Sequence, residues 1–271
     1  MPLKVRDINN IMETYASSCL KESYDNVGLM VGDLNSQVTS IMVALDCTFE
    51  VIKEALEKEC NLIITHHPLL FLRPSTITKE TLQGRKIIEL IQNNINVYSS
   101  HTNLDIVKDG LNDILTKLLG FKYWSIIENF GENSQGEAQG IGRLVSLDKP
   151  ITLEQICERV KVSLDLKGLK YAGEEKMQIN KIAIINGSGQ DYFKAAANCG
   201  ADCIITGDTS YHYVSEYMEM GIAIIDAGHF ETEWPSMKVV AEVLQNKLRE
   251  KGYDNLVLVS EKCRAPYKFF Q

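Results

Sequence analysis

Asn61-Leu62-Ile63-Ile64-Thr65-His66-His67-Pro68 is an apolar run that ends abruptly in two histidines and a proline. A run this short, bounded by a proline, reads as a buried strand that delivers polar groups at its C-terminal edge. The same pattern recurs twice. Ile95-Asn96-Val97-Tyr98 leads into Ser100-His101-Thr102-Asn103-Leu104-Asp105, and Ile222-Ala223-Ile224-Ile225 leads into Gly228-His229-Phe230-Glu231-Thr232-Glu233. Four of the chain's five histidines sit in these three motifs. Open α/β sheets gather their sites at that edge.

Working outward, residues 7–18 carry Ile8, Ile11, Met12 and Tyr15 on one helical face. Residues 40–46 predict a strand, 49–58 a helix, 81–93 a helix, and 106–119 an amphipathic helix ended by Gly120. Strands alternating with helices predict βαβ units. The polar, Gly-rich stretch 128–139 predicts a mobile linker or loop. Beyond it come a strand near 142–147, a helix over 153–164 and a short strand near 169–172. The last third then resembles the first: Ile41-Met42-Val43-Ala44 aligns with Ile182-Ala183-Ile184-Ile185, and Ile63-Ile64-Thr65 with Ile204-Ile205-Thr206. After one gap, His101-x3-Asp105 falls on His229-x3-Glu233. This pattern predicts an internal duplication. The expected fold is α/β, with two similar interlocked lobes over 1–125 and 126–271. Each has a mostly parallel sheet flanked by helices, with a dinuclear metal site in the cleft between them.

The bulk composition narrows the function. With 271 residues, 45% hydrophobic and 24% charged, the chain reads as soluble and globular. A net charge of −8 argues against nucleic-acid and anionic-membrane partners. The first residues lack an apolar signal core, and no apolar stretch is long enough to span a bilayer. Seven scattered cysteines without a close CxxC pair predict free thiols in a reducing cytoplasm.

Each motif also has a plainer explanation. Adjacent strand residues point to opposite faces, so His66 and His67 share a site only where the strand ends, as Pro68 implies. Asn103 or Asp105 can cap the following helix, and Glu233 can sit favourably in a first helical turn. The three motifs together favour a metal site. Six donors, His66, His67, His101, Asp105, His229 and Glu233, are too many for one transition-metal ion and suit two ions sharing a carboxylate. Asp208 and His212, just past a predicted strand end, are the candidate catalytic pair, with His212 as proton shuttle or substrate contact. Asn186-Gly187-Ser188-Gly189 reads as a tight turn or an anion cradle, and Asp25-Asn26-Val27-Gly28 as a turn. Serine or cysteine nucleophiles have no motif to support them.

Taken together, Asp25-Asn26-Val27-Gly28-Leu29, Thr65-His66-His67-Pro68, Ser100-His101-Thr102-Asn103-Leu104-Asp105, Gly207-Asp208-x3-His212 and Gly228-His229-x3-Glu233 resemble the GTP cyclohydrolase I type 2 homologue family. It is also known as the NGG1-interacting-factor-three-like family. The resemblance implies a toroidal homohexamer with two divalent ions per subunit, the metal being Zn, Fe, Mn or Ni. It places His67 and Asp105 on one ion and His66 and His229 on the other, with Glu233 bridging and His101 either a ligand or a group that orients Asp105 or a bound water. Residues 126–175 are too few for the extra mid-chain domain of some members, so this chain resembles the compact form. The expected activity is metal-assisted hydrolysis of a small molecule such as a nucleotide, a cyclic amidine or a phosphoester. The alternative is a metal-dependent binding or regulatory protein without turnover.

Overall fold

In the first sheet, Ala44 pairs with Thr65 and Thr65 pairs with Ser99, so three consecutive parallel strands end at one level. They are β2 (Ile41–Ala44), β3 (Leu62–Thr65) and β4 (Asn96–Ser99), and every residue in them is buried. Burial on both faces is what a parallel strand covered by crossover helices requires. The computed structural model describes residues 2–133 and 135–268.

The chain divides into two compact units. The first is Met1–Val107 with Met237–Arg264, and the second is Lys108–Ser236 with Ala265–Gln271. In the first unit, α1 (Val5–Tyr15), α2 (Phe49–Glu57) and α3 (Leu82–Gln92) accompany the strands. Thr48 and Thr81 start α2 and α3 by accepting the amides of Val51 and Gly84, the N-cap arrangement that such residues favour. The sheet order is β1-β4-β3-β2-β11, where β1 is Gly28–Val31 and β11 is Val257–Val259. β1 runs antiparallel to β4, and β11 is parallel to β2. Neither outer strand is apparent in the sequence: β1 is four residues that open on a glycine after a turn motif, and β11, although apolar, is only three residues long. α4 (Thr102–Ile106) follows β4. Where one helix over 106–119 was expected, α4 is followed by a turn through Asp109, in the left-handed region at φ 59. A separate α5 (Leu111–Leu118) then begins.

The second unit holds a six-stranded sheet of order β5-β6-β8-β9-β10-β7. Its strands are β5 (Ser125–Glu132), β6 (Ala138–Thr152), β7 (Lys170–Ala172), β8 (Gln178–Ser188), β9 (Cys203–Gly207) and β10 (Ala223–Asp226). This sheet corrects the mostly parallel expectation. β8, β9 and β10 are parallel, but β5, β6 and β7 are joined antiparallel. The β5–β6 connection is too short to house a crossover, so it must close as a hairpin. That hairpin occupies the stretch expected to be a linker. Its outer strand is mostly exposed and is held by ladder hydrogen bonds rather than by an apolar face. Gly140 allows the close approach, since a Cβ there would meet the Glu128 carbonyl oxygen at 1.9 Å.

The helices of this unit include α6 (Leu153–Ser163), α7 (Phe193–Asn198) and α8 (Tyr211–Glu219). Thr152 and Gln155 form a capping box at the start of α6. Leu153, Ile156 and Val160 on α6 pack with Ile182, Ile184, Ile205 and Ile225 of the sheet in one apolar core. The order β2-α2-β3-α3-β4 recurs here as β8-α7-β9-α8-β10. Helix α9 (His229–Glu250) begins in the second unit and continues in the first.

A buried carboxylate ties the last strand to the first unit. Glu54 on α2 accepts the Ser260 hydroxyl and the amides of Glu261 (2.9 Å) and Lys262 (3.3 Å), and pairs with Lys58 at 3.5 Å. Burial opposes its ionisation, but these donors outweigh burial and hold its pKa below the ordinary 4.5. A depressed folded-state pKa contributes stability that is present above about 4.5 and lost as pH falls through the folded value. The urea midpoint should therefore drop below that pH, and Glu54→Gln should flatten the drop. An unchanged slope in the variant would remove Glu54 as its source.

Candidate metal centre

The shared register sets up the first cluster. One residue beyond β2, β3 and β4 the chain reaches Leu45, His66 and Ser100, and one further brings Asp46, His67 and His101. The ring nitrogens that His66, His67 and His101 offer all lie within 4.8 Å of one another. Their ring centroids are 5.0–5.7 Å apart. His66 is fully buried, while His67 and His101 are partly exposed. Asp105, in the first turn of α4, places Oδ1 3.7 Å from His66 Nε2.

Each ring is oriented from behind. His66 Nδ1 lies 3.0 Å from the Ser100 carbonyl, which can only accept, so Nδ1 carries the proton and the lone pair is on Nε2. His67 Nδ1 is 2.9 Å from Asp46 Oδ1, and His101 Nδ1 is 2.9 Å from Asp25 Oδ1. Asp25 is itself buried and takes the amide and hydroxyl of Thr102 at 3.1 and 2.5 Å. Burial opposes ionisation of Asp25, but the hydrogen bonds from His101 and Thr102 prevail and hold its carboxyl well below the usual range. Asn103 does not cap the following helix; it lies within α4, whose N-cap is His101. The Asn103 Oδ1 accepts the His101 amide at 2.9 Å.

In the second unit the corresponding edge carries His229 and Glu233 on the first turns of α9, with His229 Nε2 3.0 Å from Glu233 Oε2. Asp208 turns out of β9 at φ 51 and takes His229 Nδ1 at 2.7 Å. The Asn186–Gly189 segment supports the carboxylate. Gly187 sits at φ +58, and a Cβ there would come within 2.1 Å of Glu233 Oε1. Glycine at 187 therefore lets Glu233 lie directly on the backbone of β8. His212 is exposed on α8, with its ring edge-on to Tyr211 at 5.4 Å.

Nδ1 is thus tied to an acceptor in all four motif histidines. Histidines that bind metals are oriented this way, and imidazole with carboxylate suits borderline divalent cations. Sequence reading missed Asp25 and Asp46 as ring partners. Asp46 closes an apolar run, which was a usable signal, whereas Asp25 is joined to His101 only by the fold.

The Duf34/NIF3 (NGG1p interacting factor 3) profile matches residues 3–266. The chain belongs to the Duf34/NIF3 family. Among its relatives is a Clostridium acetobutylicum protein named GTP cyclohydrolase 1 type 2 homolog. The two are 56% identical over 99% of this chain and the whole of that protein. A Staphylococcus aureus hypothetical protein of known crystal structure shares the fold with a TM-score of 0.92 and 31% identity, covering 100% of both chains. An S. aureus protein with the same cyclohydrolase-homolog name is 28% identical and aligns over 367 positions, covering 98% of this chain and all of its own. That Duf34/NIF3 protein carries an insertion that this 271-residue chain lacks, which makes this the compact form. No helix among the described residues is long and apolar enough to cross a membrane.

Proposed function

We propose that this Duf34/NIF3 chain is a metal-dependent hydrolase of a small molecule. His66, His67, His101, Asp105, His229 and Glu233 would hold two divalent ions, with Glu233 shared between them. The observation that carries this reading is the common anchoring of Nδ1, which presets each imidazole in the tautomer with its lone pair on Nε2. Divalent ions at such a site supply Lewis acidity and bring the pKa of a coordinated water towards neutrality.

The chain's own residues do the rest. Asp25, Asp46 and Asp208 fix the planes of His101, His67 and His229, and Gly187 lets Glu233 approach without steric cost. His212 is the residue we assign to proton transfer, because its exposed ring can meet solvent and substrate. The relatives' cyclohydrolase-homolog name makes a nucleotide the first substrate to try, with water adding at C8 of guanine and His212 taking the proton. A homohexamer in the cytoplasm completes the proposal. Seven unpaired cysteines, several with thiol pKa values raised by burial, suit a reducing compartment.

Metal analysis of the purified protein, followed by a screen of nucleotides, cyclic amidines and phosphoesters with and without chelator, tests the reading. Bound divalent metal and chelator-sensitive turnover on one class are expected. Bound metal with no turnover on any would replace the enzyme with a metal-dependent binding protein.

A further inference from the structure

Helix α8 presents Tyr211, Val214, Ser215 and Met218 at i, i+3, i+4 and i+7, the spacing of a face meant to be covered. That face instead lines an open groove of about 320 Å³ beside β7 and β10. The volume lies in the range of small-molecule sites, roughly 300–1,000 Å³. Tyr211 is 80% exposed and Met218 48%, so both ends of the stripe are uncovered, while Val214 and Ser215 between them are half-buried.

The polar end of the groove decides what would fit. Asp226, buried at the end of β10, receives the Lys170 ammonium at 2.6 Å and the Thr209 hydroxyl and amide at 2.7 and 3.3 Å, all on Oδ2. Its Oδ1 takes the Gly228 amide at 3.1 Å. Oδ2 is therefore fully engaged, and Oδ1 holds one backbone donor. An ammonium has three donors, and Lys170, with its side chain 76% exposed, has committed one of them to Asp226. Asp226 thus fixes a cation whose remaining donors are offered to the groove, and a ligand there must bring acceptors.

We propose that this groove binds a small amphipathic anion, a carboxylate or a phosphate monoester. Its charged group would rest on Lys170 and its apolar body against Val214, Met218 and Ile224. The assignment goes beyond the metal-dependent reaction and does not depend on it.

Titration calorimetry on the full chain tests it with phenylacetate and phenyl phosphate as probes, against neutral phenylacetamide and inorganic phosphate. One or both aryl anions should bind with sub-millimolar affinity, at least about tenfold tighter than either control. The stronger probe tells carboxylate from phosphate. Lys170→Met should cost at least about tenfold. Val214→Trp should fill the groove and abolish binding without touching the ion pair, with thermal melts confirming that both variants fold. Equal binding of phenylacetamide, full binding in either folded variant, or no binding at millimolar probe would overturn the proposal. So would an oligomer that Met218→Glu dissociates, which would give the groove to a second copy of the chain.

Discussion

Glu233→Ala should leave a folded protein that no longer retains metal. Glu233 is 3% exposed and lies against the Gly187 backbone, so no solvent-borne carboxylate can take its place. Losing a residue that merely orients a ligand typically costs 10–100-fold in metal affinity, so losing the carboxylate we propose to be shared should cost at least about a hundredfold. Metal per chain after dialysis, measured by mass spectrometry, is the direct readout, and any hydrolysis should vanish with it. The metal-free melting temperature should change by only a few degrees, because burying a carboxylate is itself unfavourable. Full metal content in the variant would end the bridging role. A collapse in metal-free stability would instead mark Glu233 as structural.

Asp113→Ala should strongly destabilise the second unit. Arg143 is 1% exposed and donates from Nε to Asp113, while its Nη1 donates to the carbonyls of Gly140 and Gly142 at 2.8 and 2.9 Å. Asp113 also takes Trp124 Nε1 at 2.8 Å and the Asp109 amide at 2.6 Å. Removing the carboxylate strands a guanidinium that cannot shed its proton. Breaking such a pair from one side costs about 3–5 kcal/mol, which corresponds to roughly 10 °C in Tm for a chain of this size. Asp113→Leu with Arg143→Met should recover at least half of that loss, since the penalty comes from the stranded charge. A single-variant loss below about 1 kcal/mol would show that water reaches the guanidinium.

The parts legible in the sequence were those written locally. Three apolar runs ending in histidine predicted β3, β4 and β10, and Thr48, Thr81 and Thr152 stand where helices begin. What escaped depends on partners remote in the chain. β1 and β11 are strands because β4 and β2 offer them a ladder, and exposed β5 because β6 does. The anchoring carboxylates follow the same rule. Asp25 reaches His101 across 76 residues, a distance over which no spacing pattern carries information. The six candidate donors could be named because their residue types are scarce and chemically particular. Asp25 was hidden because aspartate in a turn is ordinary, whereas Asp46 closes an apolar run as the motif histidines do.

The position of β11 has a consequence for how the protein is made. It is the last strand among the described residues, yet it pairs with β2, the second. As the polypeptide leaves the ribosome at about 5–20 residues per second, β2 waits on the order of tens of seconds with one edge open. Ile41–Ala44 is wholly apolar, which is the kind of bare edge that recruits foreign strands. Lys108–Ser236 of the second unit is synthesised within that interval, while the first still lacks its final strand. Vectorial synthesis thus leaves that edge of the nascent first unit unpaired until Val257–Val259 arrives to cover it.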